Sequence, residues 1–126
     1  MKALIHGLEV EGAQTNACDP PTVLVYTPAW EHRDERGSFA FEGDRVGGVE
    51  FDLATLTWCP VDADGPWPLD RQGESINTTF GRREEHEAER VRFDNLPDAV
   101  LFLAALWNQH NPSRAIRPEP AQGVAA

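Results

Sequence analysis

Histidine and cysteine are the side chains whose spacing most directly predicts metal binding or nucleophilic catalysis. This chain of 126 residues has four histidines and two cysteines: His6, His32, His86, His110, Cys18 and Cys59. No two histidines have the spacing of a His-Glu-x-x-His motif, and the cysteines form no Cys-x-x-Cys pair. Cys59 has no neighbouring base that would activate it as a nucleophile. We therefore expect no metal, no cofactor and no catalytic residues.

Carboxylates are the abundant ionisable groups. The 21 acidic residues outnumber the 11 basic ones, which gives a net charge of −10. The stretch from Phe41 to Asp70 is the most acidic, because Arg45 is its only basic residue. A negative field of this kind repels nucleic acid and anionic membranes and attracts basic partners. The composition therefore excludes direct binding to nucleic acid or membranes and favours a basic protein surface as the partner.

The predicted partner-binding residues lie within this acidic stretch. They are Glu50, Asp52, Asp62, Asp64, Trp67 and Asp70. Trp67 stands in a segment rich in proline, glycine and aspartate, and a tryptophan ringed by polar groups is a common interface anchor. The alternative for Trp67 is a ring that pins the loop to the body of the protein. A docking role for these residues requires that their charges are displayed outward.

The elements that must position these residues are mostly strands. Thr22–Thr27 is β-branched and aromatic, which predicts a strand. Ser38–Glu42 and Val49–Leu53 both alternate apolar with polar residues, which predicts a hairpin around Gly43-Asp44. Further predictions are strands at Lys2–Leu8, Ser75–Phe80 and Glu89–Asp94, a continuation of the hairpin through Thr55–Trp58, a short helix at Pro28–Arg36, and loops at Glu11–Pro21 and Cys59–Gly73. Arg82–Ala88 lacks an apolar stripe, which slightly favours a loop over a short helix.

The strongest helix prediction is Leu96–His110. Asn95 is a suitable N-cap, and Asp98 suits the positive end of the helix dipole. Apolar residues occur almost all round this segment, which predicts a helix buried on most sides. The fold class is therefore α+β: an antiparallel sheet of about five or six strands with the buried C-terminal helix packed on one face. We expect one domain over residues 1–111 and a flexible C-terminal tail over 112–126.

Size, charge and the absence of a catalytic motif favour a small acidic protein-binding protein over an enzyme. Inhibitor, immunity and anti-defence proteins of bacteria and phages have this kind of composition, and the partner would be a basic protein such as a nucleic-acid-handling enzyme. One alternative is a homodimeric accessory protein with the helix Leu96–His110 at its interface. A less favoured one is a small enzyme that combines His32 or His86 with a carboxylate. Because no leader sequence or membrane span is recognisable, we expect a cytoplasmic protein.

Overall fold

The computed structural model describes residues 2–13, 21–64, 67–77 and 83–116. Its strands are β1 Lys2–Ile5, β2 Leu8–Ala13, β3 Thr22–Tyr26, β4 Trp30–Asp34, β5 Gly37–Phe41, β6 Arg45–Asp52 and β7 Thr57–Val61, and its helices are α1 Arg83–Glu89 and α2 Leu96–His110. Five strands form an antiparallel sheet in the order β1-β2-β3-β6-β7, and β4 and β5 form a separate two-stranded sheet. The predicted α+β class is confirmed.

The core lies between α2 and one face of the five-stranded sheet, which we call the inner face. The helix contributes Ala99, Val100, Leu103 and Ala104, and the sheet contributes Leu8, Val10, Val25 and Val49. Close approach depends on Gly47, since a Cβ there would lie 2.7 Å from the carbonyl oxygen of Val61 and 2.9 Å from Leu103. The bounds of α2 and its cap are confirmed: Asn95 Oδ1 accepts a hydrogen bond from the Asp98 amide at 2.9 Å.

Two segments continue the sheet beyond β7 through isolated bridges. Phe93 exchanges two backbone hydrogen bonds with Trp58, and the Leu69 amide donates to the Pro60 carbonyl. The predicted strand Glu89–Asp94 is therefore reduced to bridges at Arg90 and Phe93, because Glu89 ends α1. The predicted strand Ser75–Phe80 is reduced to one bridge at Ser75, and its residues 78–80 lie outside the described residues.

The predicted helix Pro28–Arg36 is wrong, as is the predicted pairing of Ser38–Glu42 with Val49–Leu53. β4 occupies the helix region and pairs with β5, while β6 pairs with β3 and β7. Residues 30–41 therefore form a two-stranded ribbon, which we call the β-arm. Proline and a capping threonine at the start of this segment favoured a helix locally, but cross-strand pairing overrides that preference.

Other boundaries also differ from the predictions. The expected continuation through Thr55–Trp58 is wrong, because residues 53–56 form a turn in which Leu56 has a φ of 56°. β7 then runs back along β6, so Cys59, Pro60 and Val61 belong to a strand and not to the expected loop. β1 and β2 form a hairpin that divides the predicted first strand. The slight preference for a loop at Arg82–Ala88 is wrong as well, since α1 begins at Arg83.

The chain after α2 folds back on the helix as far as residue 116. Asn108 and Ile116 exchange two hydrogen bonds of 2.6 Å, and Trp107 Nε1 donates to the carbonyl oxygen of Arg114. Residues 117–126 of the predicted tail lie outside the described residues. Within the part of the chain that is described, no helix has the length and apolarity needed to cross a membrane.

Replacing Leu103 by alanine tests the packing of α2. The Leu103 side chain is 1% exposed, so the cavity should lower the free energy of unfolding by about 2–5 kcal/mol. Leu101→Ala is the matched control on the same helix, because Leu101 is 38% exposed. Urea unfolding followed by tryptophan fluorescence measures both variants. Equal losses for the two variants would contradict the burial assigned to α2.

Candidate functional site

Two of the six predicted docking residues, Glu50 and Asp52, form ion pairs within the protein. Glu50 and Asp52 project from the outer face of β6, opposite the core. Arg90 Nη2 lies 3.3 Å from Glu50 Oε1, and Arg92 Nη1 lies 2.7 Å from Asp52 Oδ2. The Arg90 side chain is only 7% exposed, so its charge needs the nearby carboxylate. The negative charges of Glu50 and Asp52 are therefore balanced by the chain's own arginines.

Arg92 connects several side chains on this outer face. It also contacts Glu87 of α1, and its Nη1 donates to Thr57 Oγ1 at 3.1 Å. The hydrogen bond from Arg92 lowers the pKa of Asp52 from its ordinary 3.8 to about 2. The buried Cys59 Sγ lies 3.6 Å from the same guanidinium nitrogen. We call Arg92, Asp52, Thr57, Cys59 and Glu87 the arginine cluster. Its contacts join β6, β7 and α1.

The other four predicted residues lie in the segments 62–64 and 67–70, which follow β7. Asp70 Oδ1 accepts hydrogen bonds from the amides of Gln72 and Glu74, both at 2.9 Å, and so stabilises a turn. Asp62 Oδ2 accepts a hydrogen bond of 2.7 Å from Ser75 Oγ. Asp64 is exposed, whereas Trp67 is half-buried. The structure thus brings Asp62 and Asp64 together and gives Asp70 a role in the local backbone.

Asp62 and Asp64 line a cleft of ≈ 390 Å³, which we call the acidic cleft. Leu69, Gly73 and Ser75 also border it, together with residues of α2. Its apolar lining comes from Leu69, Leu103, Leu106 and Trp107, and Arg45 and His110 also border it. Gly73 packs directly against α2, because a Cβ at this position would lie 2.2 Å from Leu106. Its φ of 84° also favours glycine. Leu69 and Leu103 are 3% and 1% exposed, so the accessible apolar surface of the cleft comes from the half-buried Leu106 and Trp107.

The β-arm presents aromatic residues that the predicted docking set did not include. All ten residues of β4 and β5 are exposed. Trp30 lies opposite Phe41, and His32 lies opposite Phe39, so the register places all four on one face of the ribbon. The rings of Trp30 and Phe41 are stacked, with centroids 4.2 Å apart. The alternation of Phe39 and Phe41 indicated a strand with an apolar face, but the sequence did not show that the face stays uncovered.

The β-arm also carries acidic residues along its edges. Arg33 Nε lies 3.3 Å from Glu31, and Arg36 Nη2 lies 3.7 Å from Asp34, so both arginines have carboxylate neighbours within the arm. Glu35 at the tip and Glu42 at the root form no ion pair among the described residues. Acidic residues without an ion pair among the described residues therefore lie at the two ends of the β-arm.

The histidine sites weighed from the sequence occupy different environments. His32 Nε2 lies 3.5 Å from Asp34 Oδ2 on the β-arm, where the histidine side chain is 54% exposed. His86 lies in α1 and is half-buried. Across residues 2–13, 21–64, 67–77 and 83–116, no group of three or more histidine, cysteine or acidic side chains is arranged to hold a metal ion.

Replacing Asp52 by asparagine tests the arginine cluster. The ionised carboxylate should contribute about 1.5–3 kcal/mol to the free energy of unfolding through its hydrogen bond from Arg92. Because the pKa is lowered from 3.8 to about 2 in the folded protein, this contribution is complete above pH 4–5 and is lost as the pH falls towards 2. Urea unfolding of wild type and variant between pH 6 and pH 2 measures the difference. The exposed Asp94→Asn is the control, and a difference that does not change with pH would contradict the pairing.

No protein-family model, no curated protein and no solved structure matches the chain. The function proposed below is therefore argued from the geometry described above.

Proposed function

We propose that this protein is a small acidic binding protein of the inhibitor, immunity or anti-defence type, which docks on a basic surface of a partner protein in the cytoplasm. The observation that carries the proposal is the β-arm, whose aromatic face is exposed and whose two ends carry Glu35 and Glu42. A nucleic-acid-handling enzyme is the kind of partner whose surface has the required positive charge.

The aromatic face supplies the contact area. Trp30, Phe39 and Phe41 are 46%, 44% and 43% exposed, although large aromatic side chains are normally buried. Aromatic anchors of this kind dominate binding energies when a partner excludes water from them. Their stacking already orders the rings of Trp30 and Phe41, so little side-chain entropy is lost on binding.

The charge distribution indicates which partner fits. The chain carries −10 overall, and two of its acidic residues, Glu35 and Glu42, stand at the two ends of the β-arm. Such a surface attracts a basic partner over long distances and discriminates against acidic ones. A second copy of the chain carries the same net charge of −10, so electrostatic repulsion between the two copies opposes dimerisation.

Dimerisation through α2 is supported less well than partner binding. The helix already buries Ala99, Val100, Leu103 and Ala104 against its own sheet. Leu101, at 38% exposure, is the large apolar side chain that α2 still exposes. The β-arm has three such side chains on one face.

The proposal is tested by affinity capture with the tagged protein from cells of its source organism, followed by mass spectrometry and calorimetry with the purified partner. We expect a basic protein that forms a one-to-one complex with the wild type. Trp30→Ser with Phe41→Ser should weaken binding at least about a hundredfold, because both aromatic anchors are lost. Raising the salt concentration should slow association, because the charges that steer it are screened.

Leu53→Ser with Leu56→Ser is the matched control, since both leucines are 67% exposed in the turn between β6 and β7. This variant loses as many exposed apolar side chains as the arm variant but leaves the arm intact, so it should bind normally. Full binding by the arm variant, or capture of acidic proteins alone, would refute the proposed function.

A further inference from the structure

We propose that the outer edge of β5, the edge turned away from β4, is a strand-addition site for an extended segment of a protein partner with a basic residue at each end. This inference deepens the proposed function and rests on it for the source of that segment. It names the element of the partner that is recognised and the backbone groups by which the β-arm binds it.

The outer edge of β5 is unpaired. The β-arm has two strands only, and β5 pairs with no strand other than β4 among the described residues. Alternate residues of such a strand direct their amide and carbonyl groups outward, where they can bind a third strand. A two-stranded ribbon is only marginally stable in water, and a third strand stabilises it by completing these hydrogen bonds. The edge of the larger sheet at β7 differs, because bridges at Pro68 and Phe93 cover part of it.

The composition of the two strands leaves β5 as the open edge of the arm. β4 contains Glu31, Arg33 and Asp34, and charged side chains of this kind protect an edge strand from pairing with another chain. β5 has the sequence Gly-Ser-Phe-Ala-Phe, which has neither a charge nor a proline. Its Phe39 and Phe41 are 44% and 43% exposed, so an added strand would pack apolar side chains beside them on the aromatic face.

The charges at the two ends of β5 indicate the class of segment. Glu35 stands in the turn before β5 and Glu42 follows its last residue, and neither forms an ion pair among the described residues. A strand paired along β5 would place its ends beside these carboxylates, which favours lysine or arginine there. Two copies of β5 paired with each other, in either direction, would bring like charges together at both ends. The same carboxylates therefore oppose self-association.

The test uses synthetic peptides as probes and the folded full-length protein, observed by NMR. The basic peptide is acetyl-Lys-Thr-Val-Thr-Val-Thr-Val-Lys-amide, whose extended length matches the separation of Glu35 and Glu42 along the chain. At saturation it should shift the Phe39 and Phe41 resonances and slow hydrogen exchange of alternate β5 amides at least about tenfold. The amides of β1, the edge strand of the five-stranded sheet, should keep their exchange rates.

Two control peptides separate backbone pairing from charge. Replacing the middle threonine by proline keeps both lysines but interrupts the hydrogen-bond ladder, so this peptide should not slow exchange in β5. Replacing both lysines by glutamate keeps the backbone but brings like charges to Glu35 and Glu42. Binding of the glutamate peptide should be weaker at least about tenfold.

Two protein variants test the carboxylates. Glu35→Gln with Glu42→Gln should weaken binding of the basic peptide by about tenfold, because two charge pairs are lost. Glu89→Gln with Asp94→Asn is the matched control, since both residues are exposed, lie outside the β-arm and account for the same change in charge. This control variant should bind the peptide normally.

Strand addition would be overturned if the proline peptide protected β5 equally, or if the basic peptide in millimolar excess left β5 exchange unchanged. Equal weakening in the two protein variants, or equal binding of the glutamate peptide, would overturn the assignment of basic ends. The proposed function is judged on a different result, which is the binding of the captured partner by the Trp30→Ser, Phe41→Ser variant.

Discussion

The pairing of Arg90 and Arg92 with the carboxylates of β6 is the interaction on which the rest of the arrangement depends. These arginines belong to the segment that runs beside β7, and its bridge at Phe93 places the chain to enter α2 at Leu96. Burying a guanidinium is costly unless a carboxylate compensates it, so Glu50 beside Arg90 and Asp52 beside Arg92 help to hold this segment on the sheet. Val91 and Phe93, on its opposite side, then face the core that α2 covers.

The same pairing determines where negative charge remains for a partner. Arg90 and Arg92 balance the acidic residues on the outer face of β6. Arg33 and Arg36 lie beside carboxylates of the β-arm. At the acidic cleft, Asp62 accepts a hydrogen bond from Ser75, while Asp64 is exposed. Acidic composition alone therefore does not mark a docking surface. The relevant quantity is the charge that remains after the chain's own arginines have been counted.

The parts of the fold that the sequence could predict are those with local physical causes. Asn95 caps the start of α2, and the apolar residues that follow favour its burial as a helix. The helix ends at His110 because Asn111 and Pro112 follow it. The β-arm could not be predicted, because nothing local indicates that β5 pairs with β4 while β6 pairs elsewhere. α1 was missed for a related reason, since Glu87 is held by Arg92 and the helix has no apolar stripe of its own.

The candidate site shows the same division. Asp62 and Asp64 were identified from an acidic turn, but the apolar lining of their cleft comes from α2, which lies about forty residues further along the chain. Glu50 and Asp52 were predicted as docking residues by the same charge argument, and only tertiary structure shows that arginines forty residues away neutralise them. Sequence composition thus identifies the charge, and the topology decides which charges are available.

The β-arm and the acidic cleft are connected through the start of β6. Only residues 42–44 separate the end of the β-arm from Arg45, which borders the acidic cleft. The connection is tied at Thr27, whose amide donates to the Asp44 carbonyl and whose Oγ1 accepts from the Asp44 amide, both at 2.8 Å. The root of the β-arm is therefore held next to the end of β3, which limits the orientations in which the aromatic face can meet a partner.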